Sequence, residues 1–257
     1  MAVNTHTEDH IGFLTLDRPP ANSYDEAFID ELGAGIEQLA GDADVRVVVV
    51  RSSSEKFFSA GADVQNFADS DAETNNAMVR KAHRVFDRLG EIDQLTIAQI
   101  GGHALGGGYE IALACDVRIA AEGRYRIGLP EVTLGLLPGT GGTQRLPRLI
   151  GRGRALLLMT TGTSVTPDEA ERLGMVDRLV PADELATHVH EIATTLAVGA
   201  PLAIAATKRA VHRGTDLPLS DGLGIELEEL APLFASADGA EGMAAFLDKR
   251  RPDYRGA

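Results

Sequence analysis

Two glutamates and a run of glycines are the residues best placed to do chemistry. Gly106, Gly107 and Gly108 are followed by Glu110, and Glu131 comes after Leu129-Pro130. The residues around Glu110 (Tyr109, Ile111, Ala112, Leu113, Ala114, Cys115) are apolar on every side, which predicts a buried helix. A buried carboxylate without compensation is costly, so Glu110 needs a reason to be there. Glycines ahead of a helix let a ligand approach the backbone, and the free N–H groups of the first turn can receive a developing negative oxygen. Two carboxylates facing one apolar pocket suit proton transfer to and from a bound molecule. The plainer alternative is a glycine-rich turn into a core helix, with each glutamate in an unrelated ion pair.

These residues must be positioned by an alternation of strands and helices, which predicts an α/β fold. Ile11 to Leu16, Val45 to Val50, Leu95 to Ile100, Asp116 to Ala120 and Tyr125 to Ile127 read as strands. The β-branched run at 45–50 suits a strand buried on both faces. Capping boxes at Ser23–Glu26 and Ser70–Glu73 open helices over 27–39 and up to about residue 91. Gly141 to Ile150 is expected to be helical, and Thr166-Pro167-Asp168-Glu169 is a further helix start. From Asp183 onward only helices are expected: 183–198, 201–213, 221–236 and 239–249. This places a boundary near residue 200, between a core at 1–199 and a helical segment at 200–257. There is no tandem repeat in the sequence.

Several stretches, in this order, carry a resemblance. They are the block Phe57 to Asp63, ALGGGYEIALACDVRIAAE, GLPEVTLGLLPGTGGTQRLPRLIG, and the ending AFLDKRRPDY from Ala245 to Tyr254. Together they resemble the enoyl-CoA hydratase (crotonase) family over nearly the whole chain. The resemblance implies a spiral of strand-strand-helix units with a C-terminal helical segment used for trimer assembly. It implies an acyl-CoA thioester substrate, with coenzyme A as part of that substrate and no metal or redox cofactor. By the same resemblance Glu110 and Glu131 are the catalytic carboxylates, and the N–H groups of Ala60 and Gly107 form the oxyanion hole. Ala60, Gly61, Ala62 and Asp63 would line the coenzyme channel with Gly107, and Phe246 and Lys249 would meet the coenzyme of a neighbouring subunit. An amphipathic terminal helix explains the last two equally well.

Both glutamates together favour hydration of a 2-trans-enoyl-CoA. The alternatives are an enoyl-CoA isomerase, a specialised acyl-CoA lyase or hydrolase, or a catalytically silent acyl-CoA-binding protein. One departure bears on this. The separation is 131 − 110 = 21, one more than the common family form, with the extra residue in the turn Gly123 to Ile127. Unless that turn absorbs it, Glu131 is displaced.

The 257 residues form one large domain, or one domain and a small appendage. A chain of this size buries roughly three quarters of its unfolded surface and needs no disulfide or metal to fold. The single cysteine, Cys115, permits no internal disulfide. No signal-like segment and no run of about 18 apolar residues is present, so a soluble, cytoplasmic protein without membrane contacts is expected. With 24 basic and 38 acidic residues the net charge is −14, which argues against nucleic acid as a partner. The expected assembly is a homotrimer, or a hexamer made of two trimers. Two basic clusters could receive coenzyme phosphates: Arg145, Arg148, Arg152 and Arg154, and the tail with Lys249, Arg250, Arg251 and Arg255. Each could equally be a solvated face. Gly139-Thr140-Gly141-Gly142 lacks the lysine of a phosphate loop. His188 and His190 face different ways on one helix, which disfavours a metal site. His103 is expected to pack or cap.

Overall fold

A computed structural model describes residues 1–257. The elements are β1 (Val3–Glu8), β2 (Ile11–Leu16), α1 (Glu26–Gly41), β3 (Val47–Ser52), β4 (Phe57–Ser59), α2 (Val64–Asp69), α3 (Ala72–Glu91), β5 (Leu95–Ile100), β6 (His103–Leu105), α4 (Gly107–Ala114), β7 (Val117–Ala121) and β8 (Ile127–Gly128). There follow α5 (Gly142–Ile150), α6 (Arg152–Thr161), α7 (Pro167–Leu173), β9 (Arg178–Val180), α8 (Leu185–Ala197), α9 (Pro201–Gly214), α10 (Leu219–Leu230) and α11 (Ala237–Asp248).

Two sheets run through the molecule. Six strands lie in the order β1-β2-β3-β5-β7-β9, and three in the order β4-β6-β8. Among pairs of strands only the β1–β2 hairpin is antiparallel; the others are parallel. Each consecutive strand pair, β3–β4, β5–β6 and β7–β8, gives one strand to each sheet. A helix or helices then return the chain. This is the expected spiral of strand-strand-helix units.

The large sheet is covered on both faces, and the alternation of side chains shows it. Val48, Val50, Ala98, Ile100 and Ala120 join the main core with α1, α3 and α4. Val47, Val49, Ile97, Ile119 and Val180 point the other way, onto Leu185, Val189 and Ala193 of α8. The run 47–50 is therefore fully buried, as its composition predicts.

The three helix starts expected from capping residues are capped by side chains, two of them with small shifts from the sequence reading. Asp25 rather than Ser23 caps α1, accepting from Phe28 N at 2.9 Å. Asp71 rather than Ser70 caps α3, accepting from Thr74 N at 2.8 Å. Thr166 caps α7, with Pro167 in its first turn, as expected. The short elements β1, β4, β6, β9, α2 and α6 were not evident in the sequence. Three-residue strands such as β4 and β6 carry too few side chains for a period to emerge.

After β9 the chain is helical, as expected. The helix α9 is pinned to the rest by Lys208, whose buried ammonium binds Asp116 at 2.8 Å and the carbonyls of Leu89 and Gln94 at 3.1 and 2.8 Å. No single helix is long and apolar enough to cross a membrane.

Candidate active site

The small sheet brings the site together. Its three parallel strands are neighbours, and a site segment leaves the C-terminal end of each. Residues 60–63 follow β4, the triple glycine and α4 follow β6, and Leu129 to Glu131 follow β8. Parallel neighbours lie about 4.8 Å apart, so three segments distant in sequence meet within one or two strand spacings.

Glycine is required where they meet. Gly61 (φ +88°) packs so tightly that a Cβ there would stand 2.9 Å from Gly107 N. A methyl at Gly108 would overlap the Ser59 carbonyl, and one at Gly107 the Tyr24 hydroxyl. The loop after β4 therefore lies directly on the start of α4.

Glu110 is buried in the first turn of α4, as expected. Its burial is compensated by three donors from one loop. Oε1 accepts from Thr140 N at 2.8 Å and from Gly142 N at 2.7 Å, and Oε2 accepts from the Thr140 hydroxyl. Gly141 (φ +116°) makes the turn that aims both amides inward. The Gly139–Gly142 stretch is thus a carboxylate cradle, a role the sequence reading missed. The only signal was its glycine density. Tyr109, on the same helix, anchors α4 by donating to the Met175 carbonyl at 2.8 Å.

Glu131 opens a short 3-10 turn, Glu131–Leu134. The extra residue is absorbed at the surface. Gly123 and Arg124 are exposed, whereas Tyr125 folds back and donates to the carbonyls of Ala121 (2.6 Å) and Ile100 (3.1 Å). The pairs Ala104–Ile127 and Leu105–Gly128 then set the register, so Glu131 arrives in the pocket. A Cβ on Gly106 would stand 3.1 Å from its Oε1, and one on Gly142 would stand 3.0 Å from Glu110 Oε1. Both Glu131 oxygens are buried without a hydrogen-bond partner. Burial, with the Glu110 charge as a second cause, pushes the Glu131 carboxyl up to about 7. The pair is unequal: one acid is held by three donors, the other is bare and close to half-protonated at neutral pH.

The oxyanion donors need a correction. The Ala60 N–H is not free, because it donates to the Ala21 carbonyl at 2.9 Å. Tyr24 pairs in parallel with the 61–63 segment: Tyr24 N donates to the Gly61 carbonyl and Asp63 N to the Tyr24 carbonyl, both at 2.9 Å. In such a ladder the residue between, Ala62, directs its own N–H to the opposite side. Ala62 N and Gly107 N have no acceptor in the protein. The pair of free amides is thus Ala62 and Gly107. The Asp63 side chain caps α2, accepting from Gln65 N at 3.1 Å.

Phe246 and Lys249 lie on the exposed C-terminal helix. Phe246 is 84% exposed, and Lys249 ends α11 in a left-handed conformation (φ 55°). Within one chain neither belongs to the carboxylate pocket. Half of the basic-cluster residues are spent on ion pairs: Arg145 with Asp87, Arg148 with Asp216, Arg250 with Glu241 and Arg255 with Asp253. Arg152, Arg154, Lys249 and Arg251 have no such partner. His103 packs on the Phe57 ring, and its Nδ1 accepts from Arg126 N at 3.1 Å. A second cavity, of about 1050 Å³, opens at the other end of α4. Three acids line it, and each is already paired: Asp116 with Lys208 and His212, Asp87 with Arg145, and Glu91 with Arg88.

Comparison with known proteins agrees with this architecture. The family model described as enoyl-CoA hydratase/isomerase matches residues 6–257. The chain is 37% identical over 250 residues to the 2,3-dehydroadipyl-CoA hydratase of Escherichia coli K12, covering 97% of this chain and 96% of that one. It is 36% identical over 245 residues to the short-chain-enoyl-CoA hydratase of Clostridium acetobutylicum, covering 95% and 94%. The crystal structure of an enoyl-CoA hydratase from Bacillus anthracis superposes with a TM-score of 0.96 at 38% identity, covering 100% of both chains.

Proposed function

The chain belongs to the enoyl-CoA hydratase/isomerase family, and on that footing we propose that it adds water across the double bond of a 2-trans-enoyl-CoA. The observation that carries this reading is the unequal carboxylate pair. Glu110 is fixed by three donors, while Glu131 is bare and raised to about 7. A general acid works best with a pKa near the operating pH, and each such role contributes roughly a hundred- to ten-thousand-fold.

In the proposed reaction the thioester oxygen sits between Ala62 N–H and Gly107 N–H. Charge gathers on that oxygen as water attacks, and each donor contributes roughly a hundred- to a thousand-fold. Glu110 takes a proton from the water while its oxygen bonds to the β-carbon. Glu131 gives its proton to the α-carbon. The proton on Glu110 then passes through the next water to Glu131, so the net change is one water added. These steps call on no metal and no redox group. The backbone of 60–63 would line the coenzyme channel. The exposed Leu227, Phe234, Phe246 and Leu247 of the C-terminal helices support assembly as a homotrimer, or two trimers, in which Phe246 and Lys249 reach a neighbour's coenzyme.

The test is loss of the enoyl-thioester absorbance on adding crotonyl-CoA. Wild type should consume it, and Glu110→Gln and Glu131→Gln should each slow turnover at least about a hundredfold. Full rates in both variants would remove the mechanism. Inertness toward crotonyl-CoA with conversion of a 3-enoyl-CoA would replace hydration by isomerisation.

A further inference from the structure

Tyr24 is a polar group of this pocket that the reaction above does not use. It lies between β2 and α1 and is 96% buried, being 4% exposed. Its ring is wedged edge-on against Phe86, at 5.8 Å between centroids, and tilted against Phe28 at 6.3 Å. Its segment is tied to β4: Asn22 Nδ2 donates to the Phe58 carbonyl at 3.0 Å, and Ser59 Oγ donates to the Asn22 carbonyl at 2.7 Å. The side chain therefore has one direction to take. Its hydroxyl ends over Gly107, where any Cβ would overlap it.

The hydroxyl is also short of partners. The other two buried tyrosines each donate to a backbone carbonyl, Tyr109 to Met175 and Tyr125 to Ala121. Tyr24 has no backbone acceptor and no hydrogen bond of normal geometry. Its only polar interaction is a looser one with the Thr140 hydroxyl, which is itself committed to Glu110. A hydroxyl that faces the pocket without a firm protein acceptor can donate to an oxygen of a ligand bound there. Burial, and the charges of Glu110 and Glu131, hold the phenol far above its ordinary pKa. It stays protonated at any working pH, so its O–H is available to donate to an oxygen in the pocket.

We propose that the Tyr24 hydroxyl is a further catalytic group, a side-chain donor to the substrate's thioester oxygen beside the N–H of Gly107. The inference rests on the hydration reading for its substrate and on the position over Gly107 for its target. Its contribution is to pull electron density onto the carbonyl oxygen as the double bond is attacked, which the two backbone amides alone would do less strongly.

The test compares wild type with Tyr24→Phe, which keeps the ring contacts to Phe86 and Phe28 and removes only the oxygen. With crotonyl-CoA the variant should lose about 10- to 100-fold in kcat/KM, mostly in kcat, because the donor matters most in the transition state. Bound cinnamoyl-CoA supplies a second readout. Polarising its carbonyl extends the conjugation and shifts its absorbance to the red, and the shift should be smaller in Tyr24→Phe. Full activity in the variant would overturn the proposal. So would a slowed reaction with an undiminished red shift, since the hydroxyl would then act away from the carbonyl. Wild type inert toward crotonyl-CoA would remove the hydration reading, while the cinnamoyl-CoA comparison would still decide the place of Tyr24.

Discussion

Glu131→Gln should make the protein more stable at alkaline pH than wild type. The unfolded chain carries this carboxyl at its ordinary 4.5, and the folded chain holds it up to about 7. The difference is about 2.5 units, or about 3 kcal/mol at 1.36 kcal/mol per unit. Between these two pH values the unfolded state has released the proton and the folded state still holds it. Stability therefore falls as pH rises through this window and levels off above about 7. Below about 4.5 both states are protonated and the penalty vanishes. The glutamine variant has no proton to lose there. Any fixed cost of the amide itself is independent of pH, so the readout is the change in the stability difference. Urea unfolding of both proteins at pH 4.5, 6, 7 and 8, at one protein concentration, should show the difference swinging toward the variant by about 3 kcal/mol from the lowest pH to the highest. Parallel stability curves would refute the claim that a bare, buried carboxyl sits beside Glu110. The same titration should appear in wild-type kinetics, as a fall in kcat/KM above about pH 7 when the acid form of Glu131 is lost.

Two further outcomes follow from the contacts around the pocket. Thr140→Val removes the hydroxyl donor to Glu110 but leaves the backbone N–H; we expect about 1–3 kcal/mol lower stability by urea unfolding and a clear loss of kcat on crotonyl-CoA. Asp116→Asn leaves the Lys208 ammonium without its counter-charge at 2% side-chain exposure. It should cost about 3–5 kcal/mol by the same assay while the carboxylate pocket stays intact.

Much of the site could be read before any coordinates. The apolar run around Glu110 indicated a buried helix, and the triple glycine indicated a backbone that something approaches closely. What could not be read depended on direction. Ala60 and Ala62 are both alanines in one loop. Only the pairing of Tyr24 with the 61–63 segment shows that Ala60 N–H is consumed and Ala62 N–H is turned inward. Thr140 looked like one residue of a glycine-rich turn, because a hydrogen bond across 30 residues leaves no local period. Tyr24 lay inside the capping box at Ser23–Glu26, and nothing in that pattern hints at where its hydroxyl ends.

The order of amino acids alone determined that two acids would be carried on glycine-preceded or proline-preceded turns of an α/β chain, because propensity and apolar spacing act locally. It did not contain the threefold repeat of strand-strand-helix units, since no sequence period accompanies it. Tertiary structure decided that β4, β6 and β8 lie side by side, so that three loops far apart in the chain share one pocket. It also decided that the extra residue before Ile127 is taken up at the surface, because the backbone pairing of β6 with β8 sets the register downstream of the turn. The raised acidity constant of Glu131 belongs to that level too, since desolvation is a property of the assembled cavity.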